Sequence, residues 1–115
     1  RMCLCLALSY SGKWDIVEAA KAFANEVASG NKQVDDLDDA LFASYLSTNT
    51  MPDPDLIIRT SGEYRLSNYL LYQMAYSELY FTKTLWPDFR ENEVYKAIID
   101  YQSRERRFGK TSEQL

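Results

Sequence analysis

DLIIRTSGEYRLSNYLLYQMAYSELYF, residues 55–81, runs a short apolar strand straight into a turn that carries two arginines, two serines and a glycine. DLIIR (55–59) reads as a strand, and its unbroken Leu56, Ile57 and Ile58 suit burial on both faces. Leu66, Leu70 and Met74 recur at four-residue intervals, so residues 66–75 are predicted as a helix. ELYF (78–81) is predicted as a further short strand. A buried strand has no use for cations, so Arg59 and Arg65 at its end point to an anion nearby.

Outward from this stretch the pattern repeats. CLCLALSY (3–10) is an apolar run too short for a helix and is predicted as a buried strand. WDIVEAAKAFANEVAS reads as a helix with Ile16, Ala20, Phe23, Ala24 and Val27 on one stripe, and Gly30 sits where a C-terminal cap belongs. A second helix is predicted over 37–47, with Leu37, Leu41, Tyr45 and Leu46 on one side and Asp35 or Asp36 as its cap. STNTMPDPD is a loop. ENEVYKAIIDYQSRERRF makes a last helix, with Val94, Ala97, Ile98 and Tyr101 inward and the RERR run (104–107) complementing its dipole. Strand, helices, strand, helix, strand, helix is the order of an α/β fold, a parallel β-sheet surrounded by helices. Such sheets bind ligands beyond the carboxyl ends of their strands, where Arg59 lies.

Composition narrows the functional classes. The 115 residues are 46% apolar and 26% charged, which fits one small globular domain or part of a larger one. A net charge of -4 argues against general nucleic-acid binding and makes any anion site local. Cys3 and Cys5, with no histidine in the chain, cannot build a zinc site and are expected as small core residues of a reduced, cytoplasmic protein. No apolar run reaches the roughly 20 residues of a membrane span.

Arg59, Arg65 and Ser67 span nine residues around Gly62. Two guanidinium forks and a hydroxyl, close to a predicted helix N-terminus, suit a diphosphate. The plainer alternative pairs these arginines with Glu63, Asp53 or Asp55. Glu78 can serve magnesium, which accepts a few carboxylates together with phosphate oxygens, or it can simply be solvated or paired. Tyr69, Tyr72, Tyr76, Tyr80, Phe81 and Trp86 read as core or subunit interface, with a lipid-binding wall as the sharper option.

Taken together, IIRTSGEYRLSNYLLYQMAYSELYF, LWPDF (85–89) and RERRFG (104–109) resemble the cis-prenyltransferases of the undecaprenyl diphosphate synthase type, in consistent order through residues 3–110. The resemblance implies a magnesium-dependent transferase that condenses isopentenyl diphosphate with an allylic diphosphate, usually farnesyl diphosphate, into long polyprenyl chains, in bacteria commonly the lipid carrier of cell-wall precursors. It places Arg59, Arg65 and Ser67 on the diphosphate of isopentenyl diphosphate and Glu78 on the magnesium. Arg107-Phe108-Gly109 matches an R-x-G element that reaches the same site across a homodimer interface, so Arg107 and Gly109 join the expected substrate-binding residues. A peripheral membrane contact through the lipid product is a further implication. Departures are SYSGK (9–13) where N-Y-G-G-R is frequent, Tyr64 where His or Gln is common, and Tyr72 for a frequent Trp. The family's D-G-N-x-R-W motif, with its catalytic aspartate, does not occur. Residues 1–115 therefore read as the C-terminal part of one such domain, expected to be inactive alone. The alternative from another class is a non-catalytic partner subunit.

Overall fold

The computed structural model describes residues 2–111 and 113. It has helices α1 (Gly12–Ala28), α2 (Asp39–Ser44) and α3 (Glu91–Gln102), strands β1 (Leu56–Arg59) and β2 (Glu78–Phe81), and single 3-10 turns at Val34–Asp36 and Trp86–Asp88. Two compact units share them: Arg1–Pro52 with Ser67–Tyr72, and Asp53–Leu66 with Gln73–Leu115.

In the first unit, α1 opens where Ser11 turns extended and its hydroxyl accepts the Trp14 N–H at 3.2 Å. It closes where predicted. The Gly30 N–H donates to Val27 O (3.1 Å) and the Asn31 N–H to Glu26 O (2.9 Å), the paired bonds that end a helix on a left-handed residue. The buried face runs through Gly12, Asp15, Ala19 and Phe23, so the stripe is offset from the expected one, and Ala20 and Ala24 face solvent. Asp15 explains the offset. Its buried carboxylate accepts from the Ser47 N–H and hydroxyl, both at 3.0 Å, and from the Tyr10 hydroxyl at 3.1 Å, which makes burial of a charge tolerable. Helix α2 is shorter than predicted, and Asp38 caps it rather than Asp35 or Asp36, its carboxylate accepting the Leu41 N–H at 2.8 Å. Asp36 instead caps the preceding turn by accepting the Gln33 N–H.

In the second unit, β1 and β2 are parallel, with Leu56 opposite Glu78 and Arg59 opposite Phe81. Helix α3 packs on β2, and Met74 and Ala97 are its buried apolar residues. All eight strand residues are half-buried rather than enclosed on both faces, because two strands and one helix cannot cover both sides of a sheet.

Three expectations are overturned. Residues 3–10 form no strand. They lie outside the only sheet among the described residues, and without a ladder partner Leu4, Leu6 and Leu8 are at least 74% exposed, as are Cys3 and Cys5 largely, instead of forming core. Residues 66–75 form turns, not a helix, because Ser67 (φ 58°) and Leu70 (φ 45°) are left-handed, which no α-helix accommodates. Helix α3 stops at Gln102, so RERR lies beyond it and satisfies other groups than the helix dipole.

The Tyr45 hydroxyl donates to the Glu26 carboxylate, tying α2's end to α1. That bond, then burial and the negative charge of Glu26, push the Tyr45 pKa up to about 12 from 10.0. A folded-state pKa above the unfolded one contributes stability that is whole below pH 10 and fades as pH rises through about 12. Tyr45→Phe should therefore flatten the loss of thermal stability between those pH values. A melting profile over pH 8–12 identical in slope to the wild type would exclude this coupling.

Candidate functional site

Arg59 ends β1 with its carbonyl oxygen accepting the Thr82 N–H at 3.0 Å. The chain then turns, but the ladder effectively continues. The Ser61 N–H donates to Thr84 O (2.8 Å), the Gly62 N–H to Thr82 O (2.9 Å), and the Tyr64 ring rests on Phe81 with centroids 5.4 Å apart. Gly62 takes φ 71° directly after Ser61 at φ 68°, a double left-handed step that a side chain at both positions would strain. The arginine turn is thus bolted to the carboxyl edge of the two strands, where parallel sheets place their ligands.

Arg65 leaves this turn exposed and pairs with Glu63 at 2.6 Å, the plainer alternative considered for it. Ser67 belongs to the first unit, with φ 58°. The helix N-terminus expected beside the arginines is not formed. Its neighbour in sequence, Asn68, instead closes the start of α1: Asn68 O accepts the Gly12 N–H (2.9 Å), its Oδ1 accepts the Lys13 N–H (2.8 Å), and its Nδ2 donates to the Ser11 hydroxyl (2.7 Å). Gly12 is needed there, since a Cβ would meet the Leu71 side chain at 3.0 Å and its backbone nitrogen at 3.3 Å.

Glu78 sits at the other, amino end of the sheet, three register steps from Arg59's partner Phe81, or about 10 Å at strand rise. Its carboxylate faces two arginines, Arg104 Nη1 at 3.4 Å and Arg106 Nε at 3.9 Å. Arg104 also donates to Leu79 O (2.7 Å) and pairs with Asp100 (2.6 Å). Arg106 donates to Asp55 Oδ1 (3.0 Å), the Tyr101 hydroxyl (2.9 Å) and Tyr76 O (2.9 Å), and its guanidinium lies 4.4 Å from the Phe108 ring centroid. The bond it donates to Asp55 holds its pKa above the ordinary arginine value, with burial opposing. Arg107 pairs with Glu105 at 2.9 Å, and Gly109 lies against the Tyr76 ring. A recess of about 140 Å³ opens here, lined in part by Asp55, Gln73, Tyr76, Arg106 and Phe108.

The expected residues therefore form two groups in this unit: Arg59 and Arg65 at the carboxyl edge, Glu78, Arg107 and Gly109 at the amino edge. Sequence reasoning gave no role to Arg104 and Arg106, although both lie in the RERRFG stretch (104–109), because the basic run was ascribed to a helix end. Among the described residues no three metal-ligating side chains cluster. Glu78 nonetheless offers the hard oxygen donor that magnesium takes alongside phosphate oxygens and water, so it fits as one ligand and not as a complete site.

Residues 1–109 match the undecaprenyl diphosphate synthase family, and the chain belongs to it. It is 63% identical over 114 residues to an isoprenyl transferase of Chlorobaculum tepidum, covering 99% of this chain and 43% of that protein. It is 54% identical to the farnesyl-diphosphate-specific ditrans,polycis-undecaprenyl-diphosphate synthase of Acinetobacter baylyi, covering 99% of this chain and 46% of that protein. Among solved structures it resembles lavandulyl diphosphate synthase from Lavandula x intermedia, crystallised with dimethylallyl diphosphate, with a TM-score of 0.87 and 45% identity over 90% of this chain and 45% of that one. The chain spans less than half the length of these relatives. No described helix is long and apolar enough to cross a membrane.

Gly62→Ala should cost about 1–2 kcal/mol through its left-handed backbone, although the space beside it is open. Chemical denaturation would read this, and an unchanged midpoint would show that the turn relaxes freely.

Proposed function

We propose that the protein containing this chain is a cis-prenyltransferase. It condenses isopentenyl diphosphate with an allylic diphosphate such as farnesyl diphosphate into a long-chain polyprenyl diphosphate, and this chain carries the isopentenyl diphosphate site. The observation that carries the reading is the turn R-T-S-G-E-Y-R (59–65), which presents two arginines from backbone bonded to the carboxyl edge of a parallel sheet, in a chain 63% identical to an isoprenyl transferase.

The chemistry follows from charge and orientation. Ionisation of an allylic diphosphate leaves a cationic carbon, and the double bond of isopentenyl diphosphate must meet it. Arg59 and Arg65 are forks that give parallel bonds to phosphate oxygens, and together they fix one end of that substrate. Holding the diphosphate aims the double bond, and orientation supplies much of the rate. Glu78 would hold magnesium together with that diphosphate, and the ion would offset phosphate charge when bound. Glu78 lies at the amino edge, about 10 Å along the strands from Arg59, and Gly109 lies against Tyr76 just before it, so one chain does not gather both groups on one ligand. A second copy supplying the amino-edge group resolves this. We accordingly propose a homodimer that buries the exposed apolar surface of Tyr76, Leu85 and Trp86.

In the full-length protein, Arg59→Ala and Arg65→Ala should each weaken isopentenyl diphosphate binding. The loss of a charge-assisted contact is worth roughly 1.5–3 kcal/mol, or about 10- to 150-fold. Titration calorimetry giving unchanged dissociation constants in both variants would reject the site. Light scattering at micromolar concentration should return a dimer mass, and a monomer would remove the shared-site arrangement.

A further inference from the structure

Arg106 follows the end of α3, and its side chain reaches several separate segments of its unit. Its guanidinium joins the start of β1 through Asp55, the segment before β2 through Tyr76 O, Glu78 of β2 through a longer ion pair, the end of α3 through Tyr101, and the following turn through the Phe108 ring. The Phe108 and Tyr76 rings are also in contact, with centroids 6.1 Å apart, and Gly109 fits against Tyr76 at 3.4 Å from where a Cβ would be. The Arg106 side chain is 20% exposed and that of Glu78 24%, so the guanidinium is largely covered on the Glu78 side while its Asp55 partner stays open to water. Arg104 flanks the same carboxylate and grips β2 through Leu79 O. Arg107, one residue on, is different in kind: its side chain is 60% exposed and touches only the neighbouring Glu105 among the ion pairs.

We infer that Arg106 is a positioning residue: it latches the 107–109 turn to the amino edge of the sheet and, with Arg104, fixes the rotamer of Glu78, so that Arg107, Gly109 and Glu78 are presented as one rigid group. The inference rests on the proposed function. It deepens that reading by assigning the order of this group to an arginine that does not touch substrate. The planar fork is needed because three separate oxygens are bonded in fixed directions, Asp55 Oδ1, Tyr101 Oη and Tyr76 O, and a lysine cannot satisfy them together.

The test uses the full-length protein and its Arg106→Ala, Arg106→Lys and Asp55→Ala variants, with Arg59→Ala as reference. Hydrogen exchange is followed by mass spectrometry, and initial rates are measured at varied isopentenyl diphosphate. Arg106→Ala should speed exchange of peptides covering 76–79 and 104–110 by ~10-fold or more while α1 peptides keep their protection. It should raise KM for isopentenyl diphosphate by ~10- to ~100-fold, with kcat changing much less. Arg106→Lys should recover part of both effects. Asp55→Ala, which removes one exposed partner, should show the same pattern at smaller size and keeps the test open if Arg106→Ala does not fold. Unchanged exchange at 104–110 would overturn the latch, and so would a fall in kcat alone at unchanged KM, the mark of mere instability. If exchange rises but neither Arg106→Ala nor Arg59→Ala moves KM, the latch is real while the substrate site is misread, and the positioning role falls with that reading.

Discussion

Parallel pairing of β1 with β2 is the constraint from which the rest of this unit follows. A parallel pair cannot be closed by a tight hairpin, so the chain must leave the carboxyl end of β1 and return to the amino end of β2 through a long crossover. Residues 60–77 do this, and their middle, 67–72, belongs to the first unit. The exit from β1 is consequently under tension between two demands, continuing the ladder and turning away. The bonds from Ser61 and Gly62 to Thr84 and Thr82 meet both, and the left-handed backbone at 61 and 62 is the local strain that results. The backbone that carries the two arginines is thereby fixed to the strand ends.

The same pairing separates charge. Strand direction sends Arg59 to one edge and Glu78 to the other. An acidic chain would leave Glu78 among its own kind, since Asp55 and Asp100 are nearby in the same unit, but Arg104 and Arg106 enter between them and bond to all three carboxylates. The C-terminal basic run thus acts across the sheet edge as a counter-charge. It also explains why α3 ends at Gln102: beyond it, the arginines reach partners that a continuing helix would not let them face.

How much of this is legible in sequence depends on whether the cause is local. LIIR and ELYF read correctly as strands because short apolar runs bounded by turn residues have few other uses. The α1 terminus is legible because Gly30 is a local signal. CLCLALSY has equal apolar content, yet a strand is defined by its neighbour, which no residue within the run reveals. Residues 66–75 show a helical spacing, but the spacing of Leu66, Leu70 and Met74 is weaker than two left-handed residues and the pull of Asn68 on the start of α1. Of the candidate site, the arginine turn follows from its residues, and Glu78 and Arg107 from the family motif. Arg106 was invisible, because its five partners are up to 51 positions away.

The Arg65–Glu63 ion pair is the point where the plain reading and the functional one meet, and magnitudes separate them. An exposed pair of this kind contributes about 0.2–1 kcal/mol, even at the 2.6 Å observed, because water screens it and both side chains lose freedom. A charge-assisted bond to phosphate is worth about 1.5–3 kcal/mol. In the proposed site a diphosphate arriving at the turn would therefore displace Glu63 from Arg65, and the pair would act as a weak restraint on Arg65 rather than as a rival to ligand. Glu63 also sits one residue after Gly62, on backbone already bonded to β2, so the restraint is anchored at one end. Arg59 needs no such device, since its backbone belongs to the sheet. The two arginines differ in setting: the backbone of Arg59 belongs to β1, while Arg65 stands beyond the turn and in the proposed site would exchange Glu63 for the ligand.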